Sequence, residues 1–244
     1  MDNLDQREIL SRVASGTLTP EEAVEQLARA RSAPSTSPIS RVRIIRRLGS
    51  TDVIGDPTVR EAVADGPHRA RIDGDTLIIE GDFADAAGFV FGGGPGHRPD
   101  GRDGDRMTVR VNPDLALELE VQAGACRVSG VGGPMRADVQ AGSIKIDGFK
   151  GPLQASVQAG SLKASGVLSA GASRIACEAG SVSVHLERGS SVRVSAHSTL
   201  GKVTLPGGIG SVSGRGPAEV TIGSGVATLH VESTMGSVMV SAES

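Results

Sequence analysis

Tryptophan and tyrosine are missing from this 244-residue chain, and phenylalanine occurs only four times. The usual platforms for stacking bases or sugar rings are therefore lacking, which argues against single-stranded nucleic-acid recognition and aromatic-dependent carbohydrate binding. The same shortage leaves Val, Ile, Leu and Ala to fill almost any interior, which suits thin, repetitive layers. Cysteine is scarce too. Cys126 and Cys177 have neither CxxC nor metal-site spacing, so no disulfide framework is implied and a reducing cytoplasm is the default compartment.

Charge of one sign is also lacking. With 25 Lys and Arg against 28 Asp and Glu, a net charge of −3 and a pI near 6.0, no global field draws the chain to nucleic acid or to an anionic membrane. Nucleic acid is not an expected partner. No apolar run approaches the roughly 18 residues that span a bilayer, and Met1 to Glu8 show no basic region leading into an apolar one. A cytoplasmic protein, at most peripheral to the membrane, is the expectation.

Catalytic signatures are equally thin. His68, His97, His185, His197 and His230 are dispersed without HExxH or HxH pairing, and no GxSxG elbow occurs. Gly92-Gly93-Gly94-Pro95-Gly96 lacks the Lys-Ser/Thr and helix start of a phosphate loop. No catalytic residue, metal or cofactor is predicted, and the reading is of a protein that is not an enzyme. Asp100-Gly101-Arg102-Asp103-Gly104-Asp105 is rich in oxygen ligands but has no EF-hand spacing, so a solvated loop is favoured over a Ca²⁺ site. Phe89-Val90-Phe91 reads as a tucked or edge strand rather than a membrane-inserting tip.

What is present falls into three parts. Residues 1–31 read as a helical hairpin: Ile9, Leu10 and Val13 follow helical spacing up to Gly16, and Thr19, Pro20 and Glu22 form a capping box ahead of Ala23, Val24 and Leu27. Two such short helices are marginal alone. The hairpin is expected to dock on its own β domain, to self-associate, or to hold a protein partner. Residues 32–38 have linker composition, and residues 39–244 show β-branched alternation punctuated by glycine, with one weak helical patch near Thr58 to Ala64.

The β region repeats. Gln122-Ala123-Gly124, Gln140-Ala141-Gly142 and Gln158-Ala159-Gly160 recur 18 residues apart, and Glu178-Ala179-Gly180 follows after 20. Alignment on them stacks Val121, Val139, Val157 and Cys177 in one apolar column, Cys126, Ile144, Leu162 and Val182 in a second, and Val128, Ile146, Ala164 and Val184 in a third. Spacing by two puts these columns on one face of each strand, so the rungs should stack about 4.8 Å apart around a shared interior. Both cysteines then become buried structural thiols. The Ala-Gly units predict a corner, and Gly130, Gly148 and Gly166 predict a second one.

Leu200-Gly201-Lys202-Val203 and Met235-Gly236-Ser237-Val238 continue the signature, so the stack should reach the C-terminus. A three-sided left-handed helix is excluded, because apolar residues do not recur every six positions. The predicted fold is mainly β, a β-solenoid or β-roll of stacked short strands with a small N-terminal α-helical hairpin. An open end of such a stack would expose unpaired strand groups and permit filament growth unless something caps it.

Glycine-rich strand repeats behind the segment Ile9 to Ala23, with its Thr19-Pro20-Glu21-Glu22-Ala23 core, resemble the bacterial "putative adhesin" β-strand-repeat family, whose members often carry a SHOCT-like N-terminal hairpin. The resemblance implies a solenoid-like fold without enzymatic activity. It also implies relatives among envelope-stress proteins of the LiaX and YvlB type.

Two basic groups are candidate binding residues. Arg127, Lys145 and Lys163 occupy equivalent outward positions and should form a ladder whose repulsion an anionic polymer or lipid headgroup would relieve, unless Asp147 supplies the counter-charge. Arg41, Arg43, Arg46 and Arg47 form a second cluster, read either as binding residues or as a charged, protected strand edge. The functional expectation is a structural or interaction protein presenting a repetitive β-surface, with a role in envelope organisation or envelope stress. The alternative is a peripheral module binding anionic lipid or polymer.

Overall fold

The computed structural model describes residues 38–81, 106–208, 210–212 and 216–243. The predicted hairpin at 1–31, nearly all of the linker, the Phe89-Val90-Phe91 segment and the Asp-rich stretch 100–105 lie outside the described residues.

Thirteen strands among the described residues join in one sheet. They are β1 (Arg41–Gly55), β2 (Ala62–Asp65), β3 (Arg69–Asp73), β4 (Thr76–Gly81), β5 (Arg106–Val111), β6 (Ala116–Ser129), β7 (Met135–Phe149), β8 (Leu153–Gly166), β9 (Ala172–Leu186), β10 (Val192–Thr204), β11 (Gly210–Val212), β12 (Ala218–Ile222) and β13 (Ala227–Ala242). The weak helical patch is no helix. Asp56 accepts hydrogen bonds from the Thr58 backbone and hydroxyl, closing a local turn, and β2 follows it.

The long strands lie parallel and in register. Gly49, Gly124, Gly142, Gly160, Gly180, Gly236 and Gly201 form one continuous ladder across β1, β6, β7, β8, β9, β13 and β10. Before the glycine of β6, Leu117, Leu119 and Val121 are buried; after it, Cys126 and Val128 are. The inward parity thus changes from odd to even at Ala123-Gly124-Ala125, which divides each long strand into two legs that contribute to one core. Val131, Phe149 and Leu168, from the segments at the strand ends, are buried in that core as well.

Glycine is required at the corner for two reasons. Gly142 has φ +131, and a Cβ there would stand 1.9 Å from the Gly124 carbonyl oxygen. At the second predicted corner, Gly130 and Gly148 do have positive φ, whereas Gly166 is there because a Cβ would meet the Phe149 carbonyl oxygen at 2.2 Å.

The three predicted apolar columns are all buried. The first becomes polar at both ends. Arg46 precedes Val121 in register, while Ser233 and Ser198 follow Cys177. All three are buried. Ser198 donates its hydroxyl proton to the Gly236 carbonyl, and another buried hydroxyl, Ser173, accepts from the Leu153 N–H, so these two serines are tied to neighbouring rungs, whereas Ser233 Oγ has no hydrogen-bond partner among the described residues.

The rungs do not follow chain order at either end. The sequence signatures suggest β9, β10, β13; in space β13 lies between β9 and β10. The chain runs along β10, returns antiparallel on its outer side as β11 and β12, then reverses through Gly223 and Gly225, both at positive φ, to enter as β13 on the inner side. At the other end, β4 and β5 pair with the two legs of β1 and together form an outer rung. Short antiparallel strands β3 and β2 cover their outer edges. Both terminal rungs are therefore overlaid by antiparallel strands rather than left as open parallel edges, so of the two alternatives, an open end or a covered one, the described residues show covered ends.

Candidate functional site

Side chains that point away from the core make two outer faces, one for each leg, and the in-register stacking repeats every surface position at the rung spacing of about 4.8 Å. The face over the first legs is a mosaic of paired charges. In register, Arg43, Glu118, Arg136, Gln154, Arg174 and His230 form one column, and Glu120, Asp138, Ser156, Ala176 and Glu232 run beside it. Arg41 reaches Glu118 at 3.2 Å, Arg43 reaches Glu120 at 2.9 Å, and Arg136 reaches Asp138 at 3.0 Å. Shallow depressions lie between these pairs, one lined by Arg43, Glu118, Glu120, Arg136 and Asp138.

This arrangement revises the second basic group. Arg41 and Arg43 are on the outer face but paired with acids, Arg46 is 1% exposed and points into the core beside Met107 and Gly81, and Arg47 is exposed at the corner. Strand alternation is the reason. Consecutive residues Arg46 and Arg47 cannot share a face, and the inward parity set by Val42 and Ile44 carries Arg46 inside.

Toward the C-terminal end of the same face, Glu232 lies 2.6 Å from Arg174 and 2.8 Å from His230, opposite His197 in the ladder. The His230 hydrogen bond, with the Arg174 charge assisting, holds the Glu232 carboxyl below its ordinary value despite partial desolvation.

The face over the second legs has a different chemistry. Arg127, Lys145 and Lys163 stand in consecutive register on β6, β7 and β8, and all three are exposed. Beside them run Ala125, Ser143, Ser161, Ser181 and Ser237, a column of hydroxyls from β7 to β13. On the other side run Ser129, Asp147, Ser165, His185 and Ser241. Lys145 pairs with Asp147 at 2.7 Å, as the counter-charge reading expects. Arg127 faces Asp52 in register, but that carboxylate is 2.5 Å from Arg106. Neither Arg127 nor Lys163 has an ion-pair partner among the described residues.

The histidines looked isolated in the sequence, yet the register brings His185 beside Ser241. His185 Nδ1 lies 2.9 Å from Ser241 Oγ, and Nε2 lies 3.5 Å from Glu243 Oε1. Parallel pairing of β9 with β13 creates this cluster across 56 residues of sequence. No spacing motif could have announced it.

Cys126 and Cys177 are buried and free. Burial pushes the Cys126 thiol up to about 12, with Asp52 adding to the shift, and burial raises Cys177 as well. Both are therefore held as thiols, the inert form. Among the described residues, no group of three or more His, Cys, Asp or Glu side chains is placed to hold a metal ion. No helix among them is long and apolar enough to cross a membrane.

No family model and no curated protein matches the chain. Among solved structures, a chain from Clostridium sporogenes described as a "putative cell adhesion protein" is a distant structural neighbour, at 11% sequence identity and a TM-score of 0.45, spanning 86% of this chain and 96% of that one.

Proposed function

We propose that this is a non-enzymatic interaction protein in which a stiff β-solenoid presents repetitive outer faces and the segment 1–31 mediates self-association. The observation that carries the reading is the in-register ladder of the long strands, which aligns the outward positions of successive rungs into columns, among them the basic line Arg127, Lys145 and Lys163. Such a surface offers repeated, regularly spaced contacts rather than one enclosed pocket. The resemblance of the glycine-rich repeats to the adhesin-type strand-repeat family supports the reading, and a role in envelope organisation or envelope stress is proposed with it. The cytoplasmic side of the membrane is the proposed location.

Light scattering on the full chain, and on a chain lacking residues 1–38, tests the reading. A discrete oligomer that falls to a monomer on truncation is the expected result. A strict monomer in both cases removes the self-association role.

A further inference from the structure

We propose that the face over the second legs is a binding site for a linear polyanion laid along the solenoid axis, its phosphate-type groups meeting Arg127, Lys145 and Lys163 and the hydroxyls of Ser143, Ser161 and Ser181. The inference deepens the interaction reading above and rests on it, since it names the ligand class for one of the two presented faces.

Three observations carry it. The first is register: the three cations are consecutive Cα partners, so their charges rise in a single line at about 4.8 Å per rung. Like charges this close repel, and a chain of anions along the line removes the repulsion while each cation gains a charge-assisted contact. The second is compensation. Every arginine of the first-leg columns described above has a carboxylate within 3.2 Å, whereas Arg127 and Lys163 have none among the described residues. The third is the parallel hydroxyl column, in which Ser143, Ser161 and Ser181 are also consecutive partners. Hydroxyls donate to anionic oxygens without adding repulsion, so each of two adjacent rungs offers both an ammonium and a hydroxyl: Lys145 with Ser143, and Lys163 with Ser161.

The line shape selects a polymer over a membrane. A bilayer presents a broad anionic plane and is best met by a wide basic field with apolar side chains that insert. Here the cationic line is bounded by Asp52 at its start and by Asp147 at its side, and its immediate neighbours are serines. One strand of anionic groups fits that width.

The test uses the full-length protein and fluorescently labelled long-chain linear polyphosphate, read by anisotropy at low ionic strength. Binding is expected to weaken with salt at a log–log slope of about −2, the value for three neutralised anionic groups on a single strand. The triple variant Arg127→Gln/Lys145→Gln/Lys163→Gln should lose affinity by about tenfold or more. Arg136→Gln/Arg174→Gln on the opposite face should bind as the wild type does. Ser143→Ala/Ser161→Ala/Ser181→Ala should weaken binding by a few-fold, about the loss of neutral hydrogen bonds at an exposed site. An unchanged denaturation midpoint verifies that each variant is folded, and the single variant Lys163→Gln serves as the milder probe if the triple variant is not.

Equal polyphosphate affinity for the folded triple variant and the wild type overturns the proposal. So does orthophosphate competing as well, per phosphate, as the polymer, or a preference for phosphatidylglycerol vesicles over polyphosphate. If polyphosphate does not bind while the full chain still assembles through residues 1–31, this inference is lost and the interaction reading stands. A monomer that binds the polymer through the ladder supports this inference and removes self-association alone.

Discussion

A Cβ placed on Gly142 would stand 1.9 Å from the carbonyl oxygen of Gly124 on the preceding rung, and the same relation recurs between Gly160 and Gly142 at 1.8 Å. The corner shared by the long parallel strands is a line of backbone-on-backbone contacts in which each rung leans on the last. Gly142→Ala should therefore destabilise the protein by at least about 1–3 kcal/mol, the cost of a strained positive-φ residue before the clash is counted. Denaturant midpoints for Gly142→Ala and Ala141→Ser, its exposed neighbour, give the comparison; equal midpoints would contradict the packed corner.

Ile146 lies at 0% exposure in the column of Val128, Ala164 and Val184. Truncation to Ala there leaves a cavity between rungs that the parallel ladder holds open. A loss of about 2–5 kcal/mol is expected from urea denaturation. Arg43→Ala, which removes an exposed pair with Glu120, should change stability by no more than about 1 kcal/mol.

Thiol labelling should be all-or-none. Cys126 and Cys177 are buried, and burial raises both thiols, Cys126 to about 12. Native protein at pH 8 should resist a disulfide reagent, and both cysteines should react once denaturant is added. Rapid labelling of either one in the native state would place it outside the core.

Glu232 predicts one component of acid sensitivity. Its carboxyl is held below the ordinary glutamate range by His230 and Arg174, so its contribution to stability is complete above that range and is lost as pH falls through the lowered folded value. The difference in denaturation midpoint between the wild type and Glu232→Gln should be largest at neutral pH. It should shrink as pH falls below the ordinary glutamate range and through the lowered folded value. A difference that grows on acidification would reverse the assigned sign.

Electron microscopy of the purified protein should show no filaments, because antiparallel strands β2 and β3 cover one terminal rung and β11 and β12 the other. Filaments built by head-to-tail stacking would require those strands to be displaced.

Periodicity alone determined the core of stacked parallel strands. Glycines 18 residues apart, with apolar residues at fixed offsets, could only stack in register, so the columns through Val121, Cys126 and Val128 and the outward ladder of Arg127, Lys145 and Lys163 were legible before any coordinates. These are local properties repeated, and strand alternation translates them directly into faces. Tertiary structure decided whatever depends on which rung neighbours which. Two glycine signatures of equal quality, at Gly201 and Gly236, carry no record of their spatial order, so the insertion of β13 between β9 and β10 was invisible. The same is true of His185 meeting Ser241 and of Arg41 and Arg43 finding Glu118 and Glu120. Arg46 marks the boundary between the two: parity placed it inside, a run of basic residues suggested it was outside, and burial on the shared face of the strand prevailed.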